Sequence, residues 1–264
     1  MDKIKFDFKL SKIEELLNNN KYYDAIDLCK EIEDDESSIN KHSFNNGIEY
    51  YLYLTTLNSN IVKESLNYRK FYNLYGTNLM LIGKYLEARE YFKKSLEIDP
   101  FDSLVRFKYT ETFKLTNDLE TYFGESNDAI NYCYKAIDFQ RFYRNISEYY
   151  FRHENYVEAL YMMLFSKYVY EENIDLIYPE LSRIYDCLGK KLDPSIDAII
   201  NFMNNKNINL PTNQIDKLNY IYNKIYENDI ITSYDILKVL FELTNDQKYK
   251  EMLDSIDNII KKGK

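Results

Sequence analysis

Residues 69–100 read RKFYNLYGTNLMLIGKYLEAREYFKKSLEIDP. Apolar residues recur at three- and four-residue steps on either side of Gly83. The pattern predicts a helix over 69–82, a turn at Gly83 and a second helix over 85–98. Asp99-Pro100 stops the second helix, because the residue before a proline is pushed out of the helical region. Gly76, Ala88 and Ser95 fall where the two helices would meet, and a larger Cβ substituent there would hold the axes apart.

Weaker copies lie on both sides. Tyr22, Ala25, Cys29 and Ile32 repeat the second-helix pattern upstream, as do Ala129, Cys133 and Ala136 downstream. A fuller unit runs through Tyr143, Ile146-Ser147, Tyr150, Tyr156, Ala159, Met163 and Ser166. Tyr178, Leu181-Ser182, Tyr185 and Gly189 suggest one more first helix. Helices are therefore expected at 10–17, 22–32, 44–57, 103–115, 129–139, 142–151, 156–170 and 177–188. Asn18-Asn19-Asn20 makes the first turn, since Asn tolerates the left-handed conformation at a helix end. The acidic run 33–38 reads as a solvated loop capping the next helix, and Asn58-Ser59-Asn60 breaks that helix. Residues 118–126 exceed what the repeat allows and read as an insertion that extends a helix or adds a turn. The alanines at 25, 88, 129 and 159 are unevenly spaced, so the array is irregular.

After Leu192-Asp193-Pro194 the small-residue signature is lost, although 196–203, 214–226, 233–243 and 246–260 still read as helices. End units of a solenoid present a polar outer face and are atypical. The expected organisation is all-α: a repeat array over 1–192 and a C-terminal helical cap over 193–264.

At Tyr72, Tyr75-Gly76, Ala88, Phe92, Ser95 and Pro100 the chain resembles the tetratricopeptide repeat (TPR) family. The resemblance covers roughly residues 8–190. It implies an α-α superhelix, a right-handed solenoid of antiparallel helix pairs, whose first helices line a concave groove for an extended peptide or a partner helix. Carried onto this sequence, the lining is Lys70, Asn73, Thr77 and Met80 on one first helix. Phe107, Lys108, Glu111 and Lys114 follow on the next, and Arg141, Arg144, Asn145, Glu148 and Arg152 on the third. The third set reads in two ways. Its arginines could grip a carboxylate or acidic peptide by bidentate bonds, or they could form an ordinary solvated face of internal Arg–Glu pairs. Some members of the family hold the C-terminal carboxylate of heat-shock chaperones with Lys, Asn and Arg. Here Thr77 and Glu111 occupy clamp-type positions, and Glu beside a ligand carboxylate is repulsive. That activity is not supported.

Composition narrows the function classes. Apolar residues make up 45% of the 264, enough for a core, and 6 Gly with 4 Pro are too few for the turns of an all-β fold. The 28 tyrosines are expected mainly at core-facing helical positions. A formal net charge of −9 disfavours nucleic acid and anionic membrane as partners, the one basic cluster being the short tail at 261–264. The three cysteines are far apart, which gives neither a disulfide framework nor a metal site, and buried free thiols are expected. His42, in an exposed polar loop, and His153, at a helix end, have no second ligand at metal spacing. No Gly-rich phosphate loop is present. The first residues lack the apolar run of a signal peptide, and no stretch is long enough to span a bilayer, so a cytoplasmic location is expected. The expected function is a non-catalytic adaptor with a peptide or protein partner and no cofactor or metal. A peptide-sensing regulator, or an accessory module of a separate enzyme such as a glycosyltransferase, are the alternatives; the sequence does not set the oligomeric state.

Overall fold

The computed structural model describes residues 2–33, 42–57, 66–170 and 174–262. Among them are fourteen α-helices and no β-strand. In chain order the helices are α1 (Lys3–Asn18), α2 (Tyr22–Glu33), α3 (Gly47–Leu57), α4 (Tyr68–Leu81), α5 (Tyr85–Ile98), α6 (Ser103–Leu115) and α7 (Leu119–Ala129). Then follow α8 (Ala136–Arg152), α9 (Tyr156–Val169), α10 (Ile174–Leu188), α11 (Ile196–Asn205), α12 (Thr212–Ile225), α13 (Ile230–Thr244) and α14 (Gln247–Lys262). The chain divides into two compact units, Met1–Asp118 and Leu119–Lys264. The expectations for 34–38, 58–60 and the end of the basic tail at 263–264 lie outside the described residues.

The first unit is built on helix hairpins α1–α2 and α4–α5, with α6 packed on α5. Its core runs from Phe6, Leu10 and Ile13 through Ala25, Cys29 and Ile32 to Phe71, Tyr75, Leu79 and Phe92, all essentially sequestered from water. α1 starts at Lys3, well before the expected 10, because the Asp2 carboxylate accepts from Lys5 N at 2.9 Å and caps it. α3 starts at Gly47 rather than 44, where Asn46 Oδ1 accepts from Glu49 N at 3.1 Å.

The expected close approach within the α4–α5 hairpin is present. A Cβ built on Gly76 would lie 2.8 Å from Phe92 Cδ1 and Cε1 and 3.1 Å from Ala88 O, closer than carbon atoms pack. Ser95 donates its hydroxyl to Arg69 O at 3.0 Å, which pins the far end of the pair. In the second unit the α8–α9 hairpin uses the same device with a different side chain: Ser147 Oγ donates to Ala159 O at 2.7 Å. Both serines are buried.

Five helix ends close on one repeated turn, with a left-handed residue at Asn20, Gly83, Asn117, Glu154 and Asn207. At each, the following amide reaches back to the helix, as Lys84 N does to Leu79 O at 2.9 Å and Asn155 N to Tyr150 O at 2.9 Å. These are Schellman-type ends.

The segment 129–139 departs from expectation. It is not a helix: α7 ends at Ala129, a 3-10 turn covers Ile130–Tyr132, and Cys133 and Lys135 are extended before α8 begins at Ala136. Ala129, Cys133 and Ala136 are fully buried, so their small-residue pattern reports burial in a tight bend rather than one helical face. The expected insertion at 118–126 is α7 itself, and the helix expected at 142–151 is the C-terminal part of α8. Cys29 and Cys133 are buried as expected, but Cys187, on α10, is exposed. The tyrosines divide: Tyr68, Tyr75, Tyr122, Tyr134 and Tyr143 are core, while Tyr23, Tyr168, Tyr178 and Tyr220 are exposed.

Within the second unit, the segment after α11 is stitched to α7 and α8. Asn209 donates twice to Asn127, from its backbone N–H to Oδ1 at 2.8 Å and from Nδ2 to the carbonyl O at 2.9 Å, and Tyr143 donates its hydroxyl to Asn209 O at 2.9 Å. Burial pushes the Tyr143 hydroxyl pKa well up, so it stays a neutral donor.

Two glycines test the packing argument. Gly76→Ala must displace the Phe92 ring, at a cost of about 1–3 kcal/mol for overpacking, against a helix-propensity gain of about 1 kcal/mol. Gly124, on α7, has nothing within 4 Å of its would-be Cβ. Chemical unfolding should show Gly124→Ala stabilised by about 0.5–1 kcal/mol and Gly76→Ala destabilised. If both substitutions stabilise, the helices do not meet as closely as the structure shows.

Candidate binding face

The side chains expected to line a first-helix face are polar or mobile groups at three- and four-residue steps along α4, α6 and α8. In the first unit the structure brings most of them together. Lys70, Asn73, Thr77 and Met80 form one half-buried row on α4. Lys108, on α6, donates from Nζ to Asn73 Oδ1 and to Thr77 Oγ1, each at 2.9 Å. Thr77 in turn donates to Asn73 O at 2.7 Å, so it is fixed as the acceptor for Lys108. Lys70 pairs with Glu14 of α1 at 2.9 Å, and Lys114 pairs with Glu111 on α6. Adjacent first helices are thus bridged, α1 to α4 and α4 to α6, by polar side chains on one face.

Lys108 differs from its neighbours. Both of its partners are neutral oxygens, and among the described residues no carboxylate lies within ion-pair distance of it. Burial lowers its pKa, opposed by the charge of Asp102.

The corresponding face of the second unit is closed by its own ion pairs. Arg144 makes a bidentate contact with Glu180 of α10, at 2.9 and 2.8 Å. Glu148 accepts from Arg152 at 2.7 Å and from Arg183 of α10 at 2.6 Å, and the Arg183 guanidinium lies 3.9 Å from the Phe151 ring centroid. Arg141 pairs at 2.8 Å with the buried Asp138. Asn145 is buried, with Nδ2 3.4 Å from Ser126 Oγ. Burial works against the Glu148 carboxylate, but the bonds from Arg152 and Arg183 outweigh it and hold its pKa below the ordinary value. Of the two readings the arginine set admitted, the structure displays the internal pairs. Two of those carboxylates were legible nearby in sequence, Asp138 and Glu148, at helical spacing from their arginines. Glu180 and Arg183 were not, because only the packing of α10 beside α8 brings them there.

The histidines sit otherwise than expected in one case. His42 is half-buried rather than exposed, its Nδ1 2.9 Å from Ile98 O and its Nε2 3.0 Å from the Tyr53 hydroxyl. His153 caps the end of α8, 3.5 Å from Glu120. Among the described residues no three His, Cys, Asp or Glu side chains are grouped to hold a metal ion. No helix among them is long and apolar enough to cross a membrane.

No family model and no curated protein matches the chain. Among solved structures, it aligns over 98% of its length with the Naa15/Naa10 structure bound to HypK-THB, at 12% identity, a TM-score of 0.41 and 35% coverage of that chain. It aligns over 95% with the APC/C hetero-tetramer Cut9-Hcn1, at 15% identity, a TM-score of 0.42 and 49% coverage. The C-terminal part of a TPR repeat-containing protein from Cytophaga hutchinsonii aligns at 12% identity and a TM-score of 0.29, with 92% of this chain and 98% of that one covered. The chain therefore spans about a third and about half of the first two. All three scores are low, and no property of these proteins is carried to this chain.

The Glu148 bridge makes a measurable claim. A carboxyl whose folded pKa is depressed contributes stability above its unfolded pKa and loses it as pH falls through the folded one. Carbon-detected NMR titration should show Glu148 titrating below the exposed glutamates, and Arg183→Met should move it upward. An unchanged Glu148 titration in that variant would remove Arg183 from the bridge.

Proposed function

We propose that the chain is a non-catalytic, TPR-like interaction module that docks a peptide or protein partner on the first-helix face of its hairpins. The proposal includes an array over 1–192 with a helical cap over 193–264, working in the cytoplasm. The observation that carries it is Lys108. In a chain of net charge −9, the other cations of the expected lining each hold a carboxylate of the chain itself. Lys108 is half-buried between neutral acceptors, and among the described residues no carboxylate compensates its charge at contact distance. An ammonium has three protons to donate, so a partner's acidic group can still be taken up there. Desolvated charge of that kind is costly without a partner, which makes it a place where binding is rewarded.

In this reading the Arg141–Arg152 face has a supporting part. Arg144 fixes α8 against α10 through Glu180, Arg141 and Arg152 hold carboxylates of α8 itself, and a ligand would have to displace an internal carboxylate to use them.

Affinity capture compared by quantitative mass spectrometry tests the proposal. A partner retained by Lys93→Glu, on the exposed side of α5, should fall at least tenfold with Lys108→Glu and with Asn73→Leu. A partner set that survives both first-helix variants unchanged places the docking surface elsewhere.

A further inference from the structure

Lys108 is set apart from the other lysines of its face by what surrounds its nitrogen. Lys70 and Lys114 each meet a carboxylate, of Glu14 and Glu111, and such a pair loses its attraction when the amine gives up its proton. Lys108 meets none among the described residues. From α4 it is faced by Asn73 Oδ1 and Thr77 Oγ1, each at 2.9 Å. The Thr77 hydroxyl spends its own proton on Asn73 O at 2.7 Å, so both groups are acceptors toward Lys108. A lysine nitrogen has four tetrahedral positions. Cε takes one and the two acceptors take two more. The fourth bonds to no group among the described residues, and holds a proton in the charged amine or the lone pair in the neutral one. A neutral amine keeps two N–H bonds, the number this cradle uses. Lys108 therefore loses none of its contacts with its charge, and the residue keeps part of its surface in solvent.

We propose that Lys108 is a nucleophilic amine, the site at which an acyl thioester acylates this chain, and that acylation switches the docking face off. The switch rests on the reading of this face as the docking surface; the acylation does not. In the reaction the Nζ lone pair attacks the thioester carbonyl carbon and an N–C bond forms. The C–S bond breaks, the thiolate leaves with its electron pair, and the proton shed by nitrogen passes to solvent. The product amide keeps one N–H for Thr77 Oγ1. Asn73 Oδ1, deprived of Lys108, lies 3.3 Å from the Thr77 hydroxyl, which can turn its proton there. The cradle thus accepts the modified side chain, while the positive charge offered to a partner's acidic group is gone.

The surrounding charges leave the amine accessible to this chemistry. The groups facing Lys108 from α4 are neutral, Glu111 and Lys114 are paired with each other on α6, and Lys70 is held by Glu14. Burial lowers the Lys108 pKa, opposed by the charge of Asp102 at the start of α6. A lowered pKa enlarges the free-amine fraction at every pH below it, and desolvation is the usual way in which a lysine is activated toward carbonyl carbon.

Incubation of the full chain with acetyl-coenzyme A at pH 7.5, followed by deuterated acetic anhydride under denaturing conditions, gives the acylated fraction of each lysine by mass spectrometry. Lys108 should exceed the exposed Lys93 about threefold or more. Asn73→Asp, which sets a carboxylate against Nζ in nearly the same shape, should bring Lys108 down to the level of Lys93. A Lys108 fraction no greater than that of Lys93, or one that Asn73→Asp leaves unchanged, overturns the acylation site. For the switch, a partner captured by wild type should fall about tenfold with Lys108→Gln, which is neutral like the acylated side chain. Capture that Lys108→Gln leaves unchanged overturns the switch. Capture that also survives Lys108→Glu and Asn73→Leu removes the docking reading itself, an outcome on which the labelling does not depend.

Discussion

Close approach of paired helices is the constraint on which the rest of the structure depends. Phe92 lies over Gly76 with no room for a methyl group, and Ser147 reaches across the equivalent contact to Ala159 O. When two axes are that near, side chains at their interface must be small. The bulk that makes the core is then moved to the flanks, where Phe71, Tyr75 and Tyr91 fill the space. The repeated left-handed turns serve the same end, because each must bring the chain back within a few residues. The tight hairpin therefore sets which faces are apolar and which remain for polar side chains.

Those remaining faces are where the first helices meet one another, and both units bridge them with polar contacts. In the first unit the bridges are Lys70–Glu14 and Lys108 with Asn73 and Thr77; in the second they are Arg144–Glu180 and Arg183–Glu148. Partly exposed ion pairs of this kind contribute little stability each, about 0–1 kcal/mol. Their value lies in orientation: they fix the side chains on these faces. Lys108 departs from this scheme in having neutral partners.

Much of this was legible along the chain. The α4–α5 and α8–α9 hairpins followed from apolar periodicity and small residues, since local spacing alone decides which side chains share a helical face. The row Lys70, Asn73, Thr77 came from the tetratricopeptide resemblance, which implies a lining at fixed offsets on each first helix. The bend at Cys133 was not legible, because buried small residues serve a tight turn and a helix contact alike. The environment of His42 was equally hidden: a polar stretch gives no sign that Ile98 O and Tyr53 will enclose it.

By itself the sequence determined that the chain is helical, where its best hairpins turn, and that its core is apolar and rich in tyrosine. These are consequences of short-range geometry, settled within one or two helical turns. Tertiary structure decided the surroundings of the charged side chains. Arg144 and Arg183 became occupied by carboxylates on a neighbouring helix, Lys108 was left between neutral oxygens, and Asp99 was buried. Charge is felt through space, so its balance depends on which helices lie side by side, and no local pattern of residues encodes that.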